Sequence, residues 1–597
     1  MLAYVLDDGL REELNRAGRN YWDVYVREIN EMLGLRARQL PVADLAKERV
    51  LSEVTTLVIG AQSGAVLGDA ALEALDRWVE SGGLLIGFAL KSLDGVFGIQ
   101  TRDTISQQPD DYSVAAYFEL WPHELTREVH PALLAEQRLL AFSDVQLVGL
   151  AGSDELARLY DSSGKDTGCP AITWRSYGRG HAGYFAFDVA KTIWLLHQGR
   201  PLPKNAAESS SGPKTLEMQV VGGNSRKVAY ADELALVLQN MIAQRPHPFI
   251  FQVPPQGDKI PDALLYWGGD EYRGPTEFSL KASDWMRQKG LPYHINIESE
   301  NHPMRAEEYR HIRNNGHEVS AYIRLYEEDG CCLAEKRYLE QSDVFLRRFG
   351  VRPVCTLTHN VRWKGWVEPA RWMEKAGIQA DNSFSGGVFP GPHPLHNGPS
   401  FSFGFGTSYP FFFYDSYEGG NRRIDVLEEP IICYEIGHRG SISPYRDKET
   451  SAREDVHEPV DRAIKYHLVM NMFHHPIYIV EYPRCREAIE EVLRYIEYRG
   501  ANVVHMGNDQ VCEWWRARSR STVTDLATEE RRVSFISCCE YGAGMIVKVP
   551  LKAGRVERVT CRSCAAAHCM KNEFGGRWLY VVVPPGVHRT EIELAED

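Results

Sequence analysis

Absent from the sequence is any run approaching the ~18 uninterrupted apolar residues that a spanning helix needs, so no membrane segment is read from it. A basic excess is missing as well. The 67 Lys and Arg are outnumbered by 81 Asp and Glu, giving a net charge of -14, and no basic stripe interleaves with aromatics. Nucleic acid and anionic membrane are thereby excluded as expected partners. Cysteine is scarce: 12 in 597 residues are too few for a disulfide scaffold, and Cys331-Cys332 and Cys538-Cys539 read as reduced thiols. No repeat with a period of roughly 20 to 50 residues is present. The opening MLAYVLDDG sets Asp7 and Asp8 where a secretory signal needs a basic patch, so the expectation is a cytoplasmic protein.

What remains is ordinary globular composition, 44% hydrophobic and 25% charged, on a chain too long for one core. Two or three domains are expected. Strand and helix alternate at first: AYVLD, a helix from Tyr21 to Leu33, TTLVIGA, an amphipathic helix from Asp69 ended by Gly82-Gly83, then GGLLIGFA. Such alternation predicts a parallel sheet covered by helices. After a helix over 231–242 and a Pro-rich run, the rhythm resumes with ALLYWGGDE, LPYHINI, HEVSAYI, VRPVCTLTHN, IQADNSF, LEEPIICYE, MNMFHHPIYI and ANVVHMG. That many strand-helix units predict a barrel with its chemistry at the C-terminal strand ends. The last stretch, with RRVSFISCC, GMIVKVP, RVERVTC, RWLYVVVP and TEIELAE, reads as a small β-sandwich. The expected fold class is α/β: a Rossmann-like domain over 1–245, a (β/α) barrel over 246–518 and a β-sandwich over 519–597.

Residues 21–89, together with YGRGHAGYFAFD (177–188), resemble class I glutamine-amidotransferase-like domains of the kind found as non-catalytic modules in bacterial glycosidases. An amidotransferase needs a thiolate at a strained strand-to-helix turn. Cys169 is the one cysteine before residue 331 and lies outside any such turn, and Ser63 in GAQSG has its glycines misplaced for a nucleophile elbow. The domain is expected to be inert toward glutamine.

The segment 263–360 resembles the polysaccharide deacetylase (NodB-homology) family in the order and spacing of four landmarks: WGGDE (267–271), PYHINI (292–297), GHEVSAYIRLY (316–326) and the strand after Arg352-Pro353. The resemblance implies a metal-dependent hydrolase of acyl groups on a glycan or related acylated small molecule. In its register Gly269 falls in the slot of the base and Asp270 in that of a metal ligand, with Glu271 the substitute base. Tyr322 and Tyr326 stand where the family's metal histidines would be. A relocated site is drawn from residues at predicted strand ends: Asp270, His359 and His475 as ligands of a divalent metal, zinc by its ligand types, with His474 as the alternative to His475. Asp381 is expected to orient substrate or a histidine. The bland readings are a local turn and ion pair of Asp270 with Arg273, a structural His317, packed tyrosines, and Trp514 and Trp515 as closing-helix core. Cys561, Cys564, His568 and Cys569 are spaced like a zinc knuckle, but buried thiols of a sandwich are the favoured reading.

Three functions compete. The first is the metal-assisted deacetylase or amide hydrolase. The second is a carbohydrate-binding or scaffolding protein that has lost the site, for which the missing histidines speak. The third is a glycoside hydrolase on the same barrel, for which Asp270 or Glu271 with Asp381 or Glu435 are the candidate pairs. A homo-oligomer stays open.

Overall fold

The computed structural model describes residues 1–203, 213–221, 227–271, 274–326, 332–386, 401–437, 456–529, 531–552 and 554–595. Arg273 and Cys331, named above, lie outside them. No helix among the described residues is long and apolar enough to cross a membrane.

The first sheet has nine strands. Arg38–Leu40, Leu2–Val5, Thr56–Ile59, Leu84–Phe88 and Gly180–Phe185 run parallel, as the alternating sequence predicts. Helix Asp69–Glu80 covers them with Ala71, Ala74, Leu75, Trp78 and Val79. Its end is set by crowding: a Cβ on Gly83 would lie 2.4 Å from the Trp78 ring. The sheet then continues antiparallel through Asp166–Tyr177, Asp154–Asp161, Ala116–Leu120 and Leu139–Ala141. This extension departs from the predicted all-parallel sheet.

The second sheet has ten strands. Arg423–Glu428, Ala380–Asp381, Cys355–Thr358, Glu318–Ile323, His294–Glu298, Ala263–Glu271, Val469–Phe473 and Cys433–Tyr434 are parallel neighbours in that order, and Phe411–Tyr414 adds an antiparallel edge. Val503–Met506 pairs with the lower half of Ala263–Glu271 (Ala263 to Tyr266), and His294–Glu298 takes over from Gly268 upward. The sheet is curled, because Tyr322 and Phe473 share one small hydrophobic cluster although two strands separate theirs, and the Tyr266 hydroxyl donates across the interior to the Pro430 carbonyl at 3.1 Å. Among the described residues its edges are joined by the isolated bridges Ser385–Ile431 and Phe401–Cys433 rather than by a ladder. The closed barrel expected from the sequence is therefore a curled half-barrel.

The C-terminal strands form a five-stranded and a four-stranded antiparallel sheet. Phe249–Ile250, from the run predicted to separate the first two units, pairs with Met545–Pro550. Around that junction the Arg518 guanidinium, fully buried, donates to the carbonyls of Phe251, Glu31, Met32 and Ile250 at 2.9, 2.9, 3.0 and 2.7 Å. Cys561 and Cys564 oppose each other in the five-stranded sheet, whereas His568 and Cys569 belong to the other.

Candidate functional site

Three neighbouring parallel strands end at one face. Ala263–Glu271 ends with Asp270 and Glu271, Val469–Phe473 is followed by His474 and His475, and Cys433–Tyr434 by Glu435. Pro476 starts a helix directly after His475, which fixes where the strand can go. The chains approach closely here: a Cβ on Gly269 would lie 1.8 Å from the His474 carbonyl oxygen. Glycine at 269 is thus a packing requirement of this backbone.

His475 Nε2 lies 3.1 Å from Asp270 Oδ1, and Nδ1 contacts Glu435 Oε1, which also accepts the His475 backbone N–H at 2.8 Å. Burial opposes charge on this ring, but the two carboxylates outweigh it and hold His475 protonated well above the usual imidazole range. The second oxygen of Glu435 is buried and has no hydrogen-bond partner among the described residues. Glu435 also has φ 50°, the left-handed region a non-glycine residue rarely adopts, so the backbone bears strain to present this side chain. Rings of Phe473, Tyr478 and Tyr434 surround His475 at 5.3, 5.3 and 6.1 Å.

His359 follows Cys355–Thr358 and meets a different partner: its Nε2 contacts the guanidinium of Arg324. Burial, and then the Arg324 cation, push its pKa down to about 4 against the opposing pull of Asp270. Tyr322 closes over it, ring to ring at 5.7 Å, its hydroxyl accepting the Asn360 N–H at 3.2 Å. Tyr326 donates instead to Glu298. His474 is stacked at 6.4 Å on Trp267 with its Nε2 3.4 Å from the Ile436 carbonyl, and burial lowers its pKa. Glu271, next to Asp270 on an alternating strand, accepts the Gly274 N–H at 2.8 Å. Asp381 is buried lower in the sheet, where Ser383 donates to it at 2.9 Å; burial pushes its pKa up to about 7, and burial and Asp381 drive Glu428 well above the usual range. His317 binds the Ser283 carbonyl at 2.8 Å, and Trp514 and Trp515 are buried.

The structure therefore gathers Asp270, His475 and Glu435, and not Asp270, His359 and His475. One metal with bonds near ~2 Å needs its ligand atoms within about 4 Å of one another. Among the described residues the one set of three such side chains with all ligand atoms within 4.8 Å is His294, Glu318 and Asp509, on the opposite side of the sheet's strands. Asp270 and Glu435 flank opposite nitrogens of one imidazolium, and a guanidinium sits against His359, so the donors at this mouth do not fit a catalytic metal. The sequence did not point to Arg324 as the partner of His359 or to Glu298 as that of Tyr326, and it offered Glu435 only as a carboxylate opposite Asp270 or Glu271; its position directly after an apolar strand was the signal for its place beside His475. In the first domain, the left-handed turn after Leu84–Phe88 falls on Ala89 (φ 48°), which carries no nucleophile, and Cys169 lies within the strand Asp166–Tyr177.

No protein-family model matches the chain, and no curated protein matches its sequence. Among solved structures, a provisionally assigned polysaccharide deacetylase from Mycobacterium smegmatis is similar at 14% identity and a TM-score of 0.30, covering 47% of this chain and 98% of that one. A Puue allantoinase is similar at 13% identity and a TM-score of 0.30, covering 44% and 94%. The cold-adapted β-galactosidase of Rahnella sp. R3 is similar at 16% identity and a TM-score of 0.25 over 31% of this chain, and the chain spans 28% of that protein's length.

Proposed function

We propose that this mouth is a hydrolytic site for an acyl or amide bond on a glycan or related small molecule, with His475 as general acid and Asp270 as general base. The observation that carries the reading is the His475 ring held between Asp270 and Glu435 at the ends of three adjacent strands. Glu435 holds the Nδ1–H and fixes the ring's orientation, as the third member of a triad does. The Nε2–H, 3.1 Å from Asp270, is the proton free to move.

A water beside Asp270 would give that carboxylate a proton as its oxygen attacks the acyl carbon. When the bond to nitrogen or oxygen breaks, the His475 Nε2 proton goes to the leaving group. Asp270 then returns its proton to Nε2, and the pair is reset. Arg324 is a buried cation suited to the developing oxyanion, and Tyr322, Tyr434 and Phe473 offer the flat apolar wall a sugar ring needs. No step passes through a metal.

The test is hydrolysis of 4-nitrophenyl acetate and release of acetate from N-acetylated chito-oligosaccharides by the full chain, before and after His475→Asn. General acid catalysis of this kind supplies about 10²- to 10⁴-fold, and that loss is expected. The unpartnered oxygen of Glu435 favours a second reading, glycoside hydrolysis by Asp270 and Glu435. Turnover of 4-nitrophenyl glycosides without acetate release would select it. Binding of the oligosaccharide without either reaction would select a non-catalytic protein.

A further inference from the structure

Where Val503–Met506 ends beside Tyr266 and His294–Glu298 begins beside Gly268, the helix Asn508–Arg520 starts. Its first turn therefore emerges directly beneath His294, and the next strand begins with Glu318. His294 Nδ1 faces Glu318 Oε2 at 3.0 Å and Asp509 Oδ1 at 3.4 Å. Tetrahedral bonds of about 2.0–2.1 Å set ligand atoms roughly 3.3 Å apart, which the two spacings from Nδ1 match, and the three ligand atoms all lie within 4.8 Å of one another.

We infer that His294 Nδ1, Glu318 and Asp509 form a divalent metal site at the floor of the half-barrel, zinc being the ion suited to one imidazole and two carboxylates. The inference is independent of the reaction assigned to the mouth. Each ligand is held by a second partner. Glu318 accepts the Asp509 and Gln510 N–H groups at 2.8 and 3.0 Å, and Asp509 accepts the Cys355 N–H at 3.1 Å. With the Asn296 amide turned so that its nitrogen donates to the Cys355 and Ala321 carbonyls, its oxygen and nitrogen lie 3.2 and 3.3 Å from His294 Nε2. With Nε2 bonded to that amide, Nδ1 is the ring nitrogen left facing the two carboxylates, where a divalent ion would take its lone pair.

Further polar groups are buried beside this cluster. Asn508 and Glu429 are fully buried and bonded to each other at 3.0 Å, yet Asn508 Oδ1 and Glu429 Oε1 have no partner among the described residues. The Asn508 oxygen lies against Gly268, His294's ladder partner, where a Cβ would be 2.3 Å away. Access exists too: a cavity of about 500 Å³ is lined by Glu318 and Asp509, with Arg313 and Gln379 on its wall.

The alternative occupant of the gap is a proton, which makes His294 an imidazolium paired to both acids. Full-length protein stripped with chelator and re-equilibrated with zinc chloride should retain one equivalent after gel filtration, read by elemental mass spectrometry. His294→Gln should weaken zinc at least 10-fold in calorimetric titration, while Asp270→Asn at the mouth should not change it. X-ray absorption of the zinc-loaded wild type, which needs no variant to fold, should show one imidazole and otherwise oxygen ligands. No retained zinc, zinc lost with Asp270→Asn but kept with His294→Gln, or a shell with sulfur or several imidazoles would each overturn the site.

Discussion

Glu435→Gln isolates what the strained carboxylate does for His475. The amide keeps an oxygen at the position that accepts the His475 backbone N–H at 2.8 Å and faces its ring, so shape and a neutral hydrogen bond survive while the charge is lost. Breaking a buried ion pair costs about 3–5 kcal/mol, and a retained neutral hydrogen bond returns about 1, which leaves a loss of roughly 2–4 kcal/mol. The sign in pH follows from the direction of the shift. A histidine whose folded pKa is raised by its partners contributes fully below its unfolded value near ~6.5, and the contribution fades as pH rises through the folded value. The difference in stability between wild type and Glu435→Gln is therefore expected to be largest at about pH 6 and to shrink in the alkaline range. Urea unfolding across that range measures it, and NMR titration of histidine-labelled protein should show the His475 ring titrating lower in the variant. A stability difference independent of pH, with the His475 titration unmoved, would refute the carboxylate–imidazolium–carboxylate arrangement.

Two further outcomes follow from the same packing. Gly269→Ala should lower both stability and any activity of the mouth by more than about 10-fold, because its Cβ would lie 1.8 Å from the His474 carbonyl and a backbone shift of a few tenths of an ångström already displaces reacting groups; a wild-type melting temperature and turnover would contradict the register. Burial pushes His197 and His247 down to about 3 and His505 to about 4, so each stays neutral in the fold while the unfolded chain takes up protons below ~6.5, and each should cost about 1.4 kcal/mol per pH unit as the pH falls from there. Melting temperature followed from pH 7 to about pH 4 checks this, and a flat profile would count against it.

Much of the frame was legible because strands buried on both faces write themselves as continuous apolar runs. LLYWGG, INI, CTLT and VMNMF all fall in the sheet where the sequence places them. Periodicity gave no hint of the antiparallel extension of the first sheet, since hairpin strands such as Asp154–Asp161 are half-exposed and polar at their ends. At the site, Asp270 and His475 were legible as residues closing adjacent strands. Their partner was not, because a sequence does not tell which of several strand-end groups a cation will claim: Arg324, one residue past Glu318–Ile323, took His359. The choice between His474 and His475 likewise depended on the proline, which turns the second histidine into the residue capping a helix.

The two ends of the half-barrel use one device with opposite consequences. At the mouth an imidazole lies between two carboxylates supplied by strand ends, each ring nitrogen has its own acid, and the proton is shared along a line from Glu435 to Asp270. On the floor both acids approach the same nitrogen of His294, while the other is tied to Asn296. A proton between ring and acids satisfies the first geometry fully, because an imidazolium has two N–H groups for two acceptors. It satisfies the second only in part, since one N–H cannot point at two carboxylates at once. A divalent ion accepts several donors around one point. A resemblance to the deacetylase family leads one to seek a metal at the mouth, whereas the directionality of the imidazole favours the proton transfer proposed there and the metal inferred for the floor.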